Sequence, residues 1–154
     1  MAGERSPIWN SKARGVLFGL SYDKTRAHII RSIMEGVGYS LLHNLKTAEE
    51  VNAHVEELIS VGGASNSIVW TQIKADITGK KIMVPEYEEP ISLGTAILAA
   101  VEKGYFKSIE EAVKKKVKMK RVYTPDVKEY YREGYKRFTD IYKQLIPVFR
   151  GERV

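Results

Sequence analysis

ELISVGGASNSIVWTQIKADITG, residues 57–79, is the stretch on which the fold of this chain turns. A short apolar, β-branched run at 58–61 meets a glycine pair, Gly62 and Gly63. Ala64 and three small polar residues follow (Ser65, Asn66, Ser67). Ile68, Trp70, Ile73 and Ile77 then recur at helical spacing until Gly79, a residue suited to ending a helix. The pattern is strand, tight turn, helix. Glycine tolerates positive φ and lets backbone approach a ligand closely. A helix N-terminus offers free N–H groups and the positive end of a dipole. Together they suit a nucleotide, although many strand-to-helix turns use glycine with no ligand at all.

Outward from that turn, the chain alternates helices with short strands. Residues 1–22 read as a loop anchored by Trp9, Val16, Leu17 and Phe18. Asp23 is the expected N-cap of an amphipathic helix over 24–46, whose apolar stripe runs Ile29, Ile30, Ile33, Met34, Val37, Leu41, Leu42, Leu45. Gly36 and Gly38 weaken that helix in isolation, so close approach to a neighbouring element is their expected use. Residues 81–84, KIMV, read as a second strand. Residues 91–103 read as a third helix and 109–116 as a short one capped by Ser108. Residues 119–123 suggest a further strand. Pro125 and Asp126 are the expected start of a last helix reaching about Ile146, with Tyr131, Tyr135, Phe138, Tyr142 and Leu145 as its core stripe. This order predicts an α/β domain with at least two parallel strands. The sheet is short of the usual strand number.

The composition bounds the rest. A chain of 154 residues with 44% hydrophobic and 29% charged residues fits one soluble domain with a real core. No run is long enough for a transmembrane helix and the N-terminus lacks a signal pattern, so a cytoplasmic location is expected. The absence of cysteine excludes disulfides, thiolate catalysis and cysteine-based zinc sites. The net charge is +6, with much of it in KKKVKMKR, residues 114–121. With no aromatic interleaved, that run reads as a solvated helix end and edge strand rather than a nucleic-acid patch.

Four ordered segments carry a family resemblance: GERSPIW with ARGVLFGLS, TRAHIIRSIMEGVGYSL, VGGASNSIVWTQIKADITG, and EEPISLGTAILAAVEKGYF. The chain resembles the C-terminal part of the FGGY carbohydrate kinases, most closely xylulokinase-like members. The resemblance implies a partial actin-like, ribonuclease-H-like ATPase domain, helix-rich, with a short parallel sheet lacking its first antiparallel strands. It implies ATP and Mg2+ as cofactors. Gly62, Gly63, Ala64 and Ser65 would form the nucleotide loop. Ser67 falls where some relatives place an adenosine-contacting Asn, and Asn66 is the substitute one position earlier. Gly94 matches a glycine that packs the third helix near the nucleotide. Asp76 and Thr78 match a helix end, as structural caps. Glu4, Arg5 and Arg14 match a loop near the domain interface, with plain salt bridges as the alternative.

The same resemblance implies absences. In the family the catalytic Asp, the sugar-binding residues and the main magnesium carboxylates lie upstream of the matched region, so no catalytic or metal-binding residue is assigned in this chain. The chain alone is expected to be inactive, with its sugar-binding half in the same polypeptide or a separate one. Xylulose is the first substrate reading, with gluconate or another polyol or ketose as the alternative. A non-catalytic assembly module, homo-oligomeric through open sheet edges, is the rival function. His28, His43 and His54 show no metal-ligand spacing. His28 reads as a helix-face contact, and His43 and His54 as surface residues. Asp23, Asp76, Asp126 and Asp140 read as caps or solvated groups rather than as bases.

Overall fold

A capping box starts the first helix. In the computed structural model, which describes residues 3–87 and 89–151, α1 spans Arg26–Glu50 with Thr25 as its N-cap. The Thr25 N–H donates to His28 Nδ1 at 3.2 Å, so His28 serves the cap rather than a neighbouring element. Asp23, the expected cap, is engaged by Lys24 and Ser21 instead, and their hydrogen bonds hold its carboxyl down at about 2. The helix also runs past residue 46 to Glu50.

The remaining elements are β1 (Glu57–Ile59), a 3-10 turn (Gly63–Asn66), α2 (Ile68–Thr78), β2 (Lys81–Pro85), α3 (Pro90–Glu102), α4 (Ile109–Lys116), β3 (Met119–Tyr123) and α5 (Glu129–Arg150). The strands form one sheet in the order β1-β2-β3. β1 and β2 are parallel, with Leu58 opposite Ile82, and Ser60 N–H extends the ladder to Met83 O at 2.8 Å. β3 is antiparallel to β2, with Met83 opposite Val122 and an irregularity at Val84/Pro85. The sheet is thus mixed: the parallel pair matches expectation and the third strand adds an antiparallel edge.

The buried positions show which face is covered. Ile82 and Val84 alternate inward on β2 and meet Ala75 of α2 and Tyr123 of β3, with Leu58 packed beside them. On its other side α2 meets α1 and α5. Tyr39, Ile73, Ile77 and Tyr131 are buried there, with Met34, Leu42, Tyr135 and Phe138 packed against them. The aromatic stripe of α5 is therefore core. Gly38 permits the α1–α2 approach, since a Cβ there would stand 2.6 Å from Ile77 Cδ1. Gly36 does no such work: nothing lies within 4 Å of its would-be Cβ. Trp70 Nε1 adds a bond to Met34 O at 3.2 Å.

α5 begins at Glu129, not at residues 125–126. The connection from β3 is held by α2 instead. Gln72 Nε2 donates to Thr124 O (2.9 Å) and to Asp76 Oδ1 (2.7 Å), and the Asp126 N–H donates to the same Asp76 oxygen at 2.8 Å. Asp76 is a clamp between elements, while Thr78 Oγ1 donates back to Lys74 O at 2.7 Å within its own helix. Both roles are structural. His43 is half-buried with its ring edge-on to Tyr135, 6.2 Å between centroids, which corrects its reading as a surface residue. His54 is exposed.

The α1–α5 core has an alkaline limit. Burial pushes the Tyr39 phenol up to about 12 and raises that of Tyr131 as well. An unfolded tyrosine titrates near 10. The folded state therefore holds these protons more tightly, and the associated stability is whole below about pH 10 and lost as pH rises toward about 12. Chemical unfolding across that window should show falling stability in the parent chain and a shallower fall in Tyr39→Phe.

Much apolar surface is uncovered. The accessible area is 11251 Å², against about 7,900 Å² for a folded monomer of this mass. Ile30, Ile33 and Val37 form a second, exposed stripe on α1, and Ile59 and Val122 are exposed on the far face of the sheet. α3 packs against α4 and leaves Ile91 82% and Leu98 58% exposed. Among the described residues no helix is long and apolar enough to cross a membrane.

Candidate functional site: the glycine corner after β1

β1 ends at Ile59, and the chain turns at Gly62 with φ 81° and ψ 178°, a combination closed to residues with a Cβ. Ser65 locks the turn. Its N–H and its Oγ both bond to Gly62 O, at 3.0 and 2.7 Å, and its side chain is buried. Thr71 Oγ1 reaches Ser65 O at 3.5 Å from a fully buried position. Ser67 is the N-cap of α2, its side chain accepting from Trp70 N–H at 3.3 Å. That bond commits one Ser67 lone pair to the helix. Asn66 has an exposed side chain on the rim of the turn.

The expected site residues therefore divide by role. Gly62, Gly63 and Ala64 present exposed backbone, and Ser65 and Ser67 hold the turn and the helix in place. At Gly62 and Gly63 nothing lies within 4 Å of a would-be Cβ, so the corner is open toward the outside. A ligand can lie directly against main chain there, with the first turn of α2 alongside. Gly94 is the remaining expected site residue. It lies on α3, which packs on α4, and its would-be Cβ faces open space rather than a close neighbour. Lys74 stands below the corner. It is half-buried, 3.5 Å from Ser60 Oγ and 5.5 Å from the centroid of the Trp70 ring, and burial lowers its pKa. Its position was not legible in sequence, because a lysine one turn above a helix end reads as solvated. A check on the cap is direct: Ser67→Ala should lower stability by about 1 kcal/mol in urea unfolding.

Glu4 and Arg14 form no salt bridge with one another. Glu4 accepts the Ser6 and Ile8 N–H groups at 3.0 and 3.1 Å, and Arg14 donates to the carbonyls of Ser11 and Ala13. They shape the N-terminal loop, whose Asn10 Nδ2 is tied to Tyr142 Oη of α5 at 2.9 Å. Arg5 is exposed. Hollows of about 410 and 430 Å³ lie between this loop and α5, around Ile8, Tyr142 and Ile146. They hold no convergent catalytic groups and are remote in sequence from the glycine corner. Among the described residues no cluster of three or more His, Cys, Asp or Glu could hold a metal ion.

Comparison with known proteins agrees with this architecture. The profile of the FGGY family of carbohydrate kinases, C-terminal domain, matches residues 1–102. A xylulose kinase of Staphylococcus epidermidis is 36% identical over 146 residues, 94% of this chain and 29% of the relative. A glycerol kinase of Paraburkholderia phymatum is 40% identical over 111 residues, 71% of this chain and 22% of the relative. The crystal structure of xylulose kinase from Rhodospirillum rubrum superposes with a TM-score of 0.83 at 27% identity, over 96% of this chain and 30% of that one. The chain spans less than a third of the length of these relatives. Its three-stranded, helix-rich architecture is a partial actin-like ATPase domain, and the chain belongs to the FGGY family of carbohydrate kinases, matching their C-terminal domain.

Proposed function

We propose that this chain is the nucleotide-side part of an ATP-dependent carbohydrate kinase. The observation that carries the reading is the bare corner at Gly62 and Gly63, where main chain is open to a ligand beside the capped start of α2. A nucleoside triphosphate supplies the phosphoryl group. Gly62, Gly63 and Ala64 would admit it against their backbone, Asn66 would offer a side-chain amide at the rim, and Ser65 and Ser67 would keep the corner rigid. Phosphoryl transfer is mostly positioning and charge neutralisation, with a carboxylate to receive the proton of the attacking hydroxyl. The carboxylate, the sugar contacts and the ligands of Mg2+ would come from the rest of a full-length kinase. That portion would also cover the exposed stripes of α1 and α3 and the open edge of β1. A cytoplasmic location accords with this activity.

Xylulose is the substrate favoured by the kinship over 94% of the chain. Glycerol is the competitor, since the glycerol kinase match is higher in identity over a shorter stretch. Gluconate is a third candidate. The test is ADP release by the full-length polypeptide with xylulose, glycerol and gluconate in parallel, with this chain alone as control. Turnover with one sugar and none for the isolated chain is the expected result. Turnover by the isolated chain, or none by the full polypeptide with any sugar, would overturn the reading. The excess accessible area supports one rival, a non-catalytic homo-oligomer assembled through the uncovered faces. ATP binding by that assembly would count against it.

A further inference from the structure

We infer that residues 103–121 form a binding surface for single-stranded nucleic acid, independent of the glycine corner. This stretch holds eight of the chain's 25 Lys and Arg and two of its 19 Asp and Glu, so it carries the entire net charge of +6 and the rest of the chain is balanced. It lies past residue 102, where the match to the family's domain ends. All eight cations (Lys103, Lys107, Lys114, Lys115, Lys116, Lys118, Lys120, Arg121) are exposed. Among the described residues only Lys115 has an acidic partner, Glu111 at 2.7 Å.

Structural duties do not absorb so much charge. Lys114, Lys115 and Lys116 complement the C-terminal dipole of α4, and one or two lysines suffice to protect an edge strand such as β3. Lys103, Lys107 and the rest of the run exceed both needs. The objection from sequence was the lack of an interleaved aromatic. The loop between α3 and α4 supplies two: Tyr105, 79% exposed, stands between Lys103 and Lys107 in sequence, and the ring centroid of Phe106 lies 6.0 Å from Lys115 Nζ. Cations beside an exposed ring are what a strand of stacked bases on a phosphate backbone requires. A bilayer fits less well. The cations are spread over the α3–α4 loop, the last turn of α4 and Lys120 and Arg121 of β3, a path along the chain that spans several elements. A flexible linear polyanion can follow the edge.

The experiment uses the full-length kinase polypeptide and fluorescein-labelled single-stranded RNA and DNA of about 20 nucleotides, with anisotropy read from about 50 mM salt upward. Micromolar binding that weakens steeply with salt is expected, with the RNA and DNA arms showing whether the sugar is read. The variant K116Q/K118Q/K120Q/R121Q should bind at least tenfold more weakly, and its log K against log salt slope should flatten by up to about 3, each phosphate contact on a single strand contributing about 0.7. Tyr105→Ala should cost fivefold or more at constant slope. Both variants alter exposed side chains, and unchanged kinase turnover certifies their folding. Absence of binding at the lowest salt, equal affinity in the quadruple variant, or capture by phosphatidylserine vesicles without oligonucleotide binding would each overturn the inference.

Discussion

Gly134→Val should cost about 3 kcal/mol of stability, and Gly134→Ala about 1–2 kcal/mol, although both replacements raise helix propensity. Gly134 sits within α5, where a glycine is normally a liability of roughly 1 kcal/mol against alanine. Here the missing side chain is needed. A Cβ at 134 would collide with the Tyr39 hydroxyl and stand 2.7 Å from Tyr39 Cζ. Tyr39 cannot swing away freely. It is buried between α1 and α5, with its ring 5.9 Å from that of Phe138 and 6.5 Å from that of Tyr135. An added atom must move the tyrosine out of its rotamer or push α5 off α1, and overpacking of a filled core costs about 1–3 kcal/mol. Urea unfolding of the series Gly, Ala, Val at 134 measures this directly. The double variant Tyr39→Phe/Gly134→Ala separates the clash from any other cause. Removing the hydroxyl should return part of the loss, so the two changes are non-additive. An alanine variant as stable as the parent would mean that α5 is not held against Tyr39 in this way.

How much of this was readable in the sequence depends on whether the deciding contact was local. Gly79 and Ser108 were legible because each acts on its own helix: Gly79 adopts the left-handed conformation at the end of α2, and Ser108 accepts the Glu111 N–H. The start of α1 was misread for a local reason too. Asp23 is a good cap by type, but Ser21 and Lys24 engage its carboxylate, and the box formed by Thr25 with His28 uses an imidazole where a Glu or Gln is the usual signal. The start of α5 required a non-local fact, since Asp76 of α2 holds the Asp126 amide in an extended connection. The direction of β3 was equally out of reach. A run of five residues says strand without saying which way it pairs. Gly36 and Gly38 stand two positions apart on the same helix and look alike in sequence, and only the arrival of Ile77 beside Gly38 gives it a purpose. At the site, the glycine pair marked the corner, while the separate duties of Ser65 and Ser67 came from hydrogen bonds that a string of small polar residues does not announce.

Gly62→Ala in the full-length kinase should raise KM for ATP at least tenfold and leave KM for the sugar unchanged, with a stability loss of about 1–3 kcal/mol. The stability part follows from backbone alone. Gly62 sits at φ 81° and ψ 178°, where a Cβ is strained whatever space surrounds it, and here the space is empty. Any reshaping moves the amides of Gly63 and Ala64, the groups proposed to meet a nucleotide. Gly63→Ala isolates the ligand's share. Gly63 has no positive φ and no neighbour within 4 Å of its would-be Cβ, so alanine there should leave the melting temperature within error. If a nucleotide lies against this main chain, the new methyl occupies its space, and KM for ATP rises in a protein of undiminished stability. The pair of variants thus distinguishes a corner that is merely strained from one that is occupied. Should both retain the parent's KM for ATP while the enzyme turns over, the nucleotide binds elsewhere and the glycines serve only the turn from β1 into α2.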